Sequence, residues 1–338
     1  MKKLVALILA FCMAFALCAC GQSEAPAAAP AEEKAAEEVE AASDPIKIGI
    51  CFTTWTSNPI FIDAGKKLHE LADQNGWELY EKDLTPDTVI NSLETFINAG
   101  CDVIIVQANQ APDAVASMFP QFEEAGITLG IFDTDQFKDE ACVAYTATND
   151  NYAGGYTIGK YAAEWAKEHI DGKVYAGVTT YECNEVFKYR PYGIMDGLKD
   201  NLDPDMLEIA TVEVSVNGDN VQNIPEDALS MMPEMNIYCA WYGGAGVAGY
   251  ETLKSLGWEG GIFSCDCSQD EVKAMMNNDL LIASINYDTG NEAVKLVQRT
   301  VEFVENGKQY PEGTTDADKC WAFPCIVVTQ DMAPDYLD

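Results

Sequence analysis

Short apolar runs alternate with amphipathic stretches along the chain from Pro45 onward. The first run, Ile48 to Phe52, is followed by the polar loop Thr53 to Ser57 and by Asn58-Pro59, a typical helix start. A continuous apolar run of this length is typical of a strand buried on both faces of a parallel sheet. The pattern therefore places the loop at the carboxyl edge of a sheet, where open α/β proteins bind ligands.

The alternation continues in two successive sets of elements. In the first set we expect strands at 48–52, 77–80, 102–106 and 127–132, and helices at 63–75, 85–99 and 111–125, the last kinked at Pro120. In the second set we expect strands at 143–146, 174–178, 209–214, 237–240, 262–265, 282–287 and 326–329. Its predicted helices include one that ends near 169 and others at 189–202, 224–232, 245–256, 269–277 and 292–306. The pattern predicts an α/β protein with two doubly wound parallel-sheet lobes.

The N-terminus predicts export. Met1-Lys2-Lys3 precedes an apolar core, Leu4 to Ala16, which has the length of a signal peptide and is too short to span a bilayer. The segment Leu17-Cys18-Ala19-Cys20-Gly21 resembles a bacterial lipobox. We therefore expect residues 1–20 to be a lipoprotein signal peptide and Cys20 to be lipidated. The alternative is ordinary secretory cleavage without a lipid. Residues 21–44 are mostly Ala, Pro and Glu, and we expect a disordered tether, with partial helix as the alternative.

Charge and cysteine content exclude several classes of function. A net charge of −35 argues against nucleic-acid binding, which needs a basic face, and against adsorption to anionic lipid. Nine of the twelve cysteines follow Cys20, an odd number that cannot all pair within one chain, although Cys320 and Cys325 could pair. There is no C-x-x-C motif and there are only two histidines, so we expect neither a metal site nor a cofactor.

Several motifs together resemble the ribose-binding type of periplasmic solute-binding protein. They are Ser57-Asn58-Pro59-Ile60-Phe61, Phe132-Asp133, Asn149-Asp150-Asn151-x-x-Gly154-Gly155, Arg190-x-x-Gly193 and Ser264-Cys265-Asp266. Their order and spacing cover the chain from Pro45 to Thr329. The resemblance implies the type I fold, in which two lobes joined by a multi-strand hinge close on a ligand. Carried over, one lobe is 45–148 plus 288–324 and the other is 149–287 plus 325–338.

The resemblance also implies a set of ligand-binding side chains. In such a site an amide, two carboxylates and a guanidinium bond to hydroxyl groups, and aromatic faces cover the ligand's C–H surface. The positions that match are Asn58, Phe61, Asp133, Thr134, Arg190, Tyr242, Asp266 and Tyr287, and Trp55 in the first loop is a further aromatic candidate. The alternative is that the two carboxylates cap helices and that the aromatic rings belong to the core.

The chain departs from the family's pattern in ways that change the expected ligand. Thr134 stands where the ribose binders have an arginine, and Asp135 adds a negative charge beside it. Tyr242 stands where an Asn is common, and Tyr287 where a Gln is common. These departures predict a more acidic cleft and a larger or flatter ligand. A hexose, a short oligosaccharide, a cyclitol, a nucleoside and a cationic amine all remain open.

The leading functional hypothesis is a lipid-anchored, monomeric solute receptor at the outer face of the cytoplasmic membrane. It would capture a sugar or a related polyhydroxylated molecule and dock on an ABC permease. The chain lacks G-x-x-x-x-G-K-[ST], so the ATPase would be a separate protein. One alternative is a glycosidase that uses Asp133 and Asp266 as paired carboxylates, although G-x-S-x-G is absent. Another is a chemoreceptor or sensor partner without a transport role.

Overall fold

Two six-stranded sheets flanked by helices carry the fold in a computed structural model of the chain. The structure describes residues 44–57, 59–183, 186–215 and 218–337, with only the backbone described at 59 and 60. Residues 45–338 form one compact unit. Within the described ranges, no helix combines the length and the apolar character that crossing a bilayer requires. The expected signal peptide, the lipidation site Cys20 and most of the tether lie outside the described residues.

The first sheet belongs to the lobe that contains the N-terminal strand. Its strands are β1 (Lys47–Phe52), β2 (Glu78–Asp83), β3 (Val103–Gln107), β4 (Thr128–Phe132), β5 (Val143–Thr148) and β11 (Cys320–Ala322). Its helices are α1 (Pro59–Asn75), α2 (Val89–Ala99), α3 (Pro112–Ala116), α4 (Phe119–Ala125), α10 (Thr289–Glu305) and the short α11 (Asp316–Lys319). The strand order is β11-β5-β4-β3-β1-β2, and all neighbours are parallel.

The second sheet belongs to the other lobe. Its strands are β6 (Val174–Thr180), β7 (Leu207–Glu213), β8 (Ile237–Cys239), β9 (Gly261–Cys265), β10 (Leu281–Asn286) and β12 (Ile326–Thr329). Its helices are α5 (Asn151–His169), α6 (Tyr189–Asn201), α7 (Ile224–Met231), α8 (Gly243–Ser255) and α9 (Gln269–Met275). The order is β12-β10-β9-β8-β6-β7, with only β10–β12 antiparallel. The predicted α/β class with two doubly wound lobes is confirmed.

The burial of the strands explains why their sequences are so apolar. Strand β3 (VIIVQ) and strand β9 (GIFSC) are buried at every position, because helices cover both faces of each sheet. Strand β2 (ELYEKD) lies at the edge of the first sheet and has no fully buried residue. Its charges suit an edge, because charged side chains there discourage pairing with another chain.

The chain passes between the lobes three times: after β5, after β10, and between β11 and β12. Helix α10 therefore returns to the first lobe, where it packs on β4 and β5. Strand β11 then adds to the edge of the first sheet beside β5, and β12 to the edge of the second beside β10.

Two sequence-based expectations differ from the structure. The helix expected at 111–125 is broken into α3 and α4, with the break at Ser117 and Met118. Pro120 follows within the first turn of α4, where its missing N–H costs no hydrogen bond, so the proline marks a new start rather than a kink. Strand β11 was not expected, because its three residues follow a helical turn and form no apolar run.

Candidate functional site

The close crossing of α5 and α6 fixes the position of Arg190. A Cβ atom at Gly155 would lie 2.0 Å from the Arg190 carbonyl oxygen. A Cβ atom at Gly193 would lie 2.2 Å from the carbonyl oxygen of Tyr152. Only glycine allows the backbones to approach this closely. The two glycine-containing motifs seen in the sequence are therefore the two sides of one helix contact, which holds the first turn of α6.

Arg190 is buried, at 3% exposure, and makes three hydrogen bonds to described groups. Its Nε donates to Asn151 Oδ1 at 3.0 Å, and its Nη1 donates to Asp266 Oδ1 at 2.8 Å and to the Trp241 carbonyl oxygen at 3.1 Å. Its Cζ lies 4.7 Å from the centre of the Tyr287 ring, a cation–π contact. The guanidinium is thus held rigidly, with one carboxylate as its ionic partner.

Asp266 follows β9 and joins the guanidinium to a helix end. Its Oδ2 accepts from the backbone N–H of Gly243, the first residue of α8, at 3.0 Å. A carboxylate is favourable there because the helix N-terminus carries partial positive charge. The helix that directly follows Asp266 has its own cap, Ser268. Asp266 therefore caps a helix, as the alternative interpretation held, while also pairing with Arg190.

A buried glutamate supports the turn that presents Asp266. Asp266 and Cys267 have φ values of 93° and 50°, which non-glycine residues rarely adopt. The Cys267 N–H donates to Ser284 Oγ at 3.0 Å, and that hydroxyl donates to Glu271 Oε1 at 3.0 Å. Burial raises the pKa of Glu271 to about 7, and the charge of Asp266 adds to this rise. The network holds the strained turn in place.

Asp133 is the corresponding carboxylate of the first lobe. It follows β4 with φ 68° and is buried, at 6% exposure. Its Oδ2 accepts from Gln107 Nε2 at 3.2 Å and from Asn109 Nδ2 at 2.8 Å, whereas its Oδ1 is buried without a partner among the described residues. Burial raises its pKa to about 6, against the lowering effects of Gln107, Arg190 and Asn109, and Asp266 raises it slightly. Charges of the second lobe therefore act on Asp133.

A cavity of about 370 Å³ opens between the lobes beside Asp133. The residues that line it come from the end of β4, the hinge after β5 and the start of α6, and they include Asp133, Thr134, Asp135, Asn149, Asp150 and Tyr189. Asp266 lines a second interlobe cavity of about 300 Å³, together with Asp63, Lys67, Asn286, Asp288 and Tyr336. Asp133 and the Arg190–Asp266 pair therefore each lie beside open space between the lobes, Asp133 at the first cavity and Asp266 at the second.

A family comparison agrees with this architecture. A model of the periplasmic binding protein domain matches residues 48–308. The chain belongs to the periplasmic binding protein family. No curated protein sequence matches it.

Solved structures show the same fold at low sequence identity. An ABC transporter solute binding protein from Actinobacillus succinogenes, with bound D-allose, is 16% identical with a TM-score of 0.70, covering 86% of this chain and 100% of its own. A glucose-galactose binding protein from Geobacillus stearothermophilus is 16% identical with a TM-score of 0.69, covering 85% and 98%. A Caulobacter myo-inositol binding protein is 15% identical with a TM-score of 0.67, covering 88% and 97%. This periplasmic binding protein therefore has the type I fold.

The aromatic candidates of the first lobe lie in its core. Trp55 and Phe61 are 3% and 6% exposed, and both rings pack on Phe52. The Trp55 indole Nε1 donates to Glu81 Oε1 at 2.7 Å, away from the described cavity linings. The structure thus gives both residues packing contacts in the core, and their expected contact with ligand stays a prediction.

The second lobe has two aromatic candidates, of which Tyr287 packs against Arg190 and Tyr242 packs against Trp241. Tyr287 is 1% exposed, and its ring packs against the guanidinium of Arg190. A Cβ at Gly154 would lie 2.1 Å from the Tyr287 hydroxyl oxygen. Tyr242 is half-buried with its ring centre 4.5 Å from that of Trp241. Neither tyrosine is among the described residues that line the two cavities.

Of the nine sequence candidates, Asp133 and Thr134 line the first cavity, Asp266 lines the second, and Arg190 pairs with Asp266. Asn58 lies outside the described residues. The sequence interpretation missed the amides that hold these groups, which are Gln107, Asn109 and Asn151. Gln107 ends β3 and Asn109 lies in the turn after it, at the same sheet edge as Asp133, and that position was the available signal.

The described residues also bear on the cysteine and metal expectations. All nine cysteines are free, so Cys320 and Cys325 are not joined. No group of three or more His, Cys, Asp or Glu side chains among the described residues is arranged to hold a metal ion.

Proposed function

We propose that this protein is an extracytoplasmic solute-binding protein of an ABC transporter, and that it captures a sugar or related polyhydroxylated molecule between its lobes. The observation that carries the proposal is Asp133, whose buried and unpartnered Oδ1 lies at an interlobe cavity within electrostatic range of the Arg190–Asp266 pair. Structural relatives with the same fold bind D-allose, glucose or galactose, and myo-inositol by their names, which supports the ligand class.

The proposed mechanism is closure of two rigid bodies on the ligand. These bodies are residues 45–148 with 288–324 and residues 149–287 with 325–338, since α10 and β11 pack in the first lobe and β12 in the second. Closure would remove water from the cleft and strengthen hydrogen bonds from hydroxyl groups to the carboxylates. Asp133, Thr134, Arg190 and Asp266 are the proposed binding residues, and the candidates that remain are Trp55, Asn58, Phe61, Tyr242 and Tyr287.

The proposal includes attachment to the outer face of the membrane through Cys20. It rests on the sequence alone, because an apolar core and a lipobox-like end precede a polar tether. Mass spectrometry of the exported protein would detect the lipid on the N-terminal cysteine. We expect Cys20→Ser to release the protein into the medium or periplasm. An unmodified, freely soluble wild-type protein would contradict the anchor while leaving the binding function intact.

Ligand binding is tested on the compact unit, residues 45–338. A thermal-shift panel of hexoses, pentoses, inositols, nucleosides and amines should raise the melting temperature for polyhydroxylated compounds, because ligand bound to the native state stabilises it by mass action. Calorimetry on the positive compounds, followed by recovery of the ligand, checks whether it is returned intact. Conversion of the ligand to a product would contradict a pure binding role.

A further inference from the structure

We propose that the ligand carries a protonated amine on its polyhydroxylated framework, and that this ammonium group binds at Asp133 Oδ1. The inference rests on the proposed function and narrows its ligand class from neutral sugars to amino sugars or amino cyclitols. Two independent observations carry it: the sign of the charge on the cavity wall, and the kind of hydrogen-bonding atom left unused there.

The cavity beside Asp133 is lined by acidic side chains. Asp133, Asp135 and Asp150 all line it, and no Lys or Arg is among its described lining residues. Asp135 has a distant cation, Lys138, at 3.8 Å, and that contact is solvent-exposed and weak. Asp150 caps α5, where the helix end offsets part of its charge. The cavity wall therefore carries net negative charge. Of its three carboxylates, Asp133 is the one that has neither an ion-pair partner among the described residues nor a helix end beside it.

Among the described residues, the buried cation Arg190 forms no direct ion pair with Asp133. Arg190 donates its Nη1 to Asp266 at 2.8 Å and its Nε to Asn151 at 3.0 Å. Its salt-bridge partner is Asp266, and the charges of these two residues act on Asp133 in opposite directions. Among the described residues, the side chain of Asp133 receives hydrogen bonds only from the neutral amides of Gln107 and Asn109. A positively charged group on the ligand would therefore offset the buried negative charge of Asp133.

The unused atoms at this wall are hydrogen-bond acceptors. Asp133 Oδ1 and Asn149 Oδ1, which belong to two residues that line the cavity, are both buried without partners among the described residues. A hydroxyl group has one hydrogen to donate, whereas an ammonium group has three and no lone pair. A wall of acceptors therefore suits an ammonium better than a hydroxyl.

A bare metal ion is a poorer occupant than an organic cation. Metal ions such as Ca²⁺ need six or more oxygen ligands arranged around one point. The described residues contain no group of three or more acidic, His or Cys side chains with that arrangement. An ammonium group needs only two or three acceptors, and the rest of its molecule can use the polar groups that line the other parts of the cavity.

The test compares matched ligands on the compact unit of residues 45–338. Isothermal titration at neutral pH and low salt would use D-glucosamine, D-galactosamine and an amino-inositol, each beside its N-acetyl derivative and its parent neutral compound. We expect at least one amine to bind about 10-fold or more tightly than both of its partners, which corresponds to about 1.4 kcal/mol. N-acetylation keeps the ring and removes the charge, so it isolates the ammonium.

Asp133→Asn is the decisive variant, because it keeps the shape and removes the charge. We expect it to abolish the preference for the amine, leaving the amine and the neutral partner within about twofold of each other. Asp171→Asn, a matched change at an exposed position after α5, should leave the preference unchanged.

Four outcomes would contradict the inference. A neutral hexose or inositol that binds as tightly as its amine would overturn the ammonium and leave the proposed function standing. An aliphatic diamine such as putrescine that binds more tightly than every amino sugar would overturn the polyhydroxylated framework. An amine preference that survives in Asp133→Asn would mean that the ammonium binds elsewhere. Failure of every compound to bind would contradict the proposed function as well.

Discussion

Removing the charge of Asp133 should stabilise the unliganded protein. Asn has nearly the same shape as Asp, its carbonyl oxygen can accept the bonds from Gln107 and Asn109, and it tolerates the φ of 68° found at this position. The substitution Asp133→Asn therefore changes the charge and little else. The direction of the effect follows from the pKa.

The magnitude comes from the shift that burial imposes. The pKa of Asp133 rises from 3.8 to about 6 in the folded protein, chiefly because burial penalises the charged form. A shift of roughly two units corresponds to about 3 kcal/mol. Since the folded state holds this proton more tightly than the unfolded chain, the free energy of unfolding falls as pH rises from about 4 through 6. Above pH 7 the wild type carries the full cost, and below pH 4 it carries none.

The assay is urea unfolding of wild type and Asp133→Asn, without ligand, between pH 4 and pH 7.5. We expect the variant to be more stable by about 2–3 kcal/mol at pH 7.5 and equal to wild type at pH 4. Glu271 also titrates with a raised pKa, about 7, but it is present in both proteins and cancels in the difference. A variant that is less stable at pH 7.5, or a difference that does not change with pH, would refute the reasoning.

Three further predictions concern Arg190, Gly155 and Trp55. Arg190→Ala should weaken ligand binding by at least about 2 kcal/mol, or about 30-fold, because it leaves buried polar groups without partners. Calorimetry measures this loss. The control is Lys199→Ala, on the exposed face of the same helix, which should leave the affinity unchanged. Gly155→Ala should lower the free energy of unfolding by about 1–3 kcal/mol, since its Cβ would lie 2.0 Å from the Arg190 carbonyl oxygen; an unchanged urea midpoint would contradict this close contact. Trp55→Phe should lower the free energy of unfolding by about 1–2 kcal/mol, because the hydrogen bond to Glu81 is lost. Ligand affinity should stay within twofold of wild type. A large loss of affinity would show instead that Trp55 contacts the ligand.

The fold was predictable because each strand and helix leaves a local pattern in the sequence, and that pattern repeats along the chain. Runs such as Val103 to Val106 and helices ending at Gly100 or Gly126 follow from strand burial and from left-handed caps, at φ of 71° and 69°. Strand β11 could not be found this way, since it is a strand only because the distant β5 offers an edge to pair with. The family match then confirmed the type I fold.

The site was predictable where a charged residue stands directly after a strand. Asp133 and Asp266 satisfy that rule, and each lines one of the two interlobe cavities. Trp55 shows its limit: the parallel register of β1 and β2 brings Glu81 to the indole, and no local pattern reveals that register. Glu271 shows another limit: it forms a capping box with Ser268, and no local pattern reveals that its side chain is completely buried.

The triple passage of the chain between the lobes has a consequence for biosynthesis. Strand β11 pairs Cys320 with Thr146, and β12 pairs Val328 with Ser284, so each sheet gains an edge from the last part of the polypeptide. A nascent chain that has not yet released this part from the ribosome can complete neither lobe. Such distant pairing slows folding, which leaves time for an unfolded chain to be handed to a secretion apparatus. A nonsense mutation before residue 320 would leave both halves with an open sheet edge.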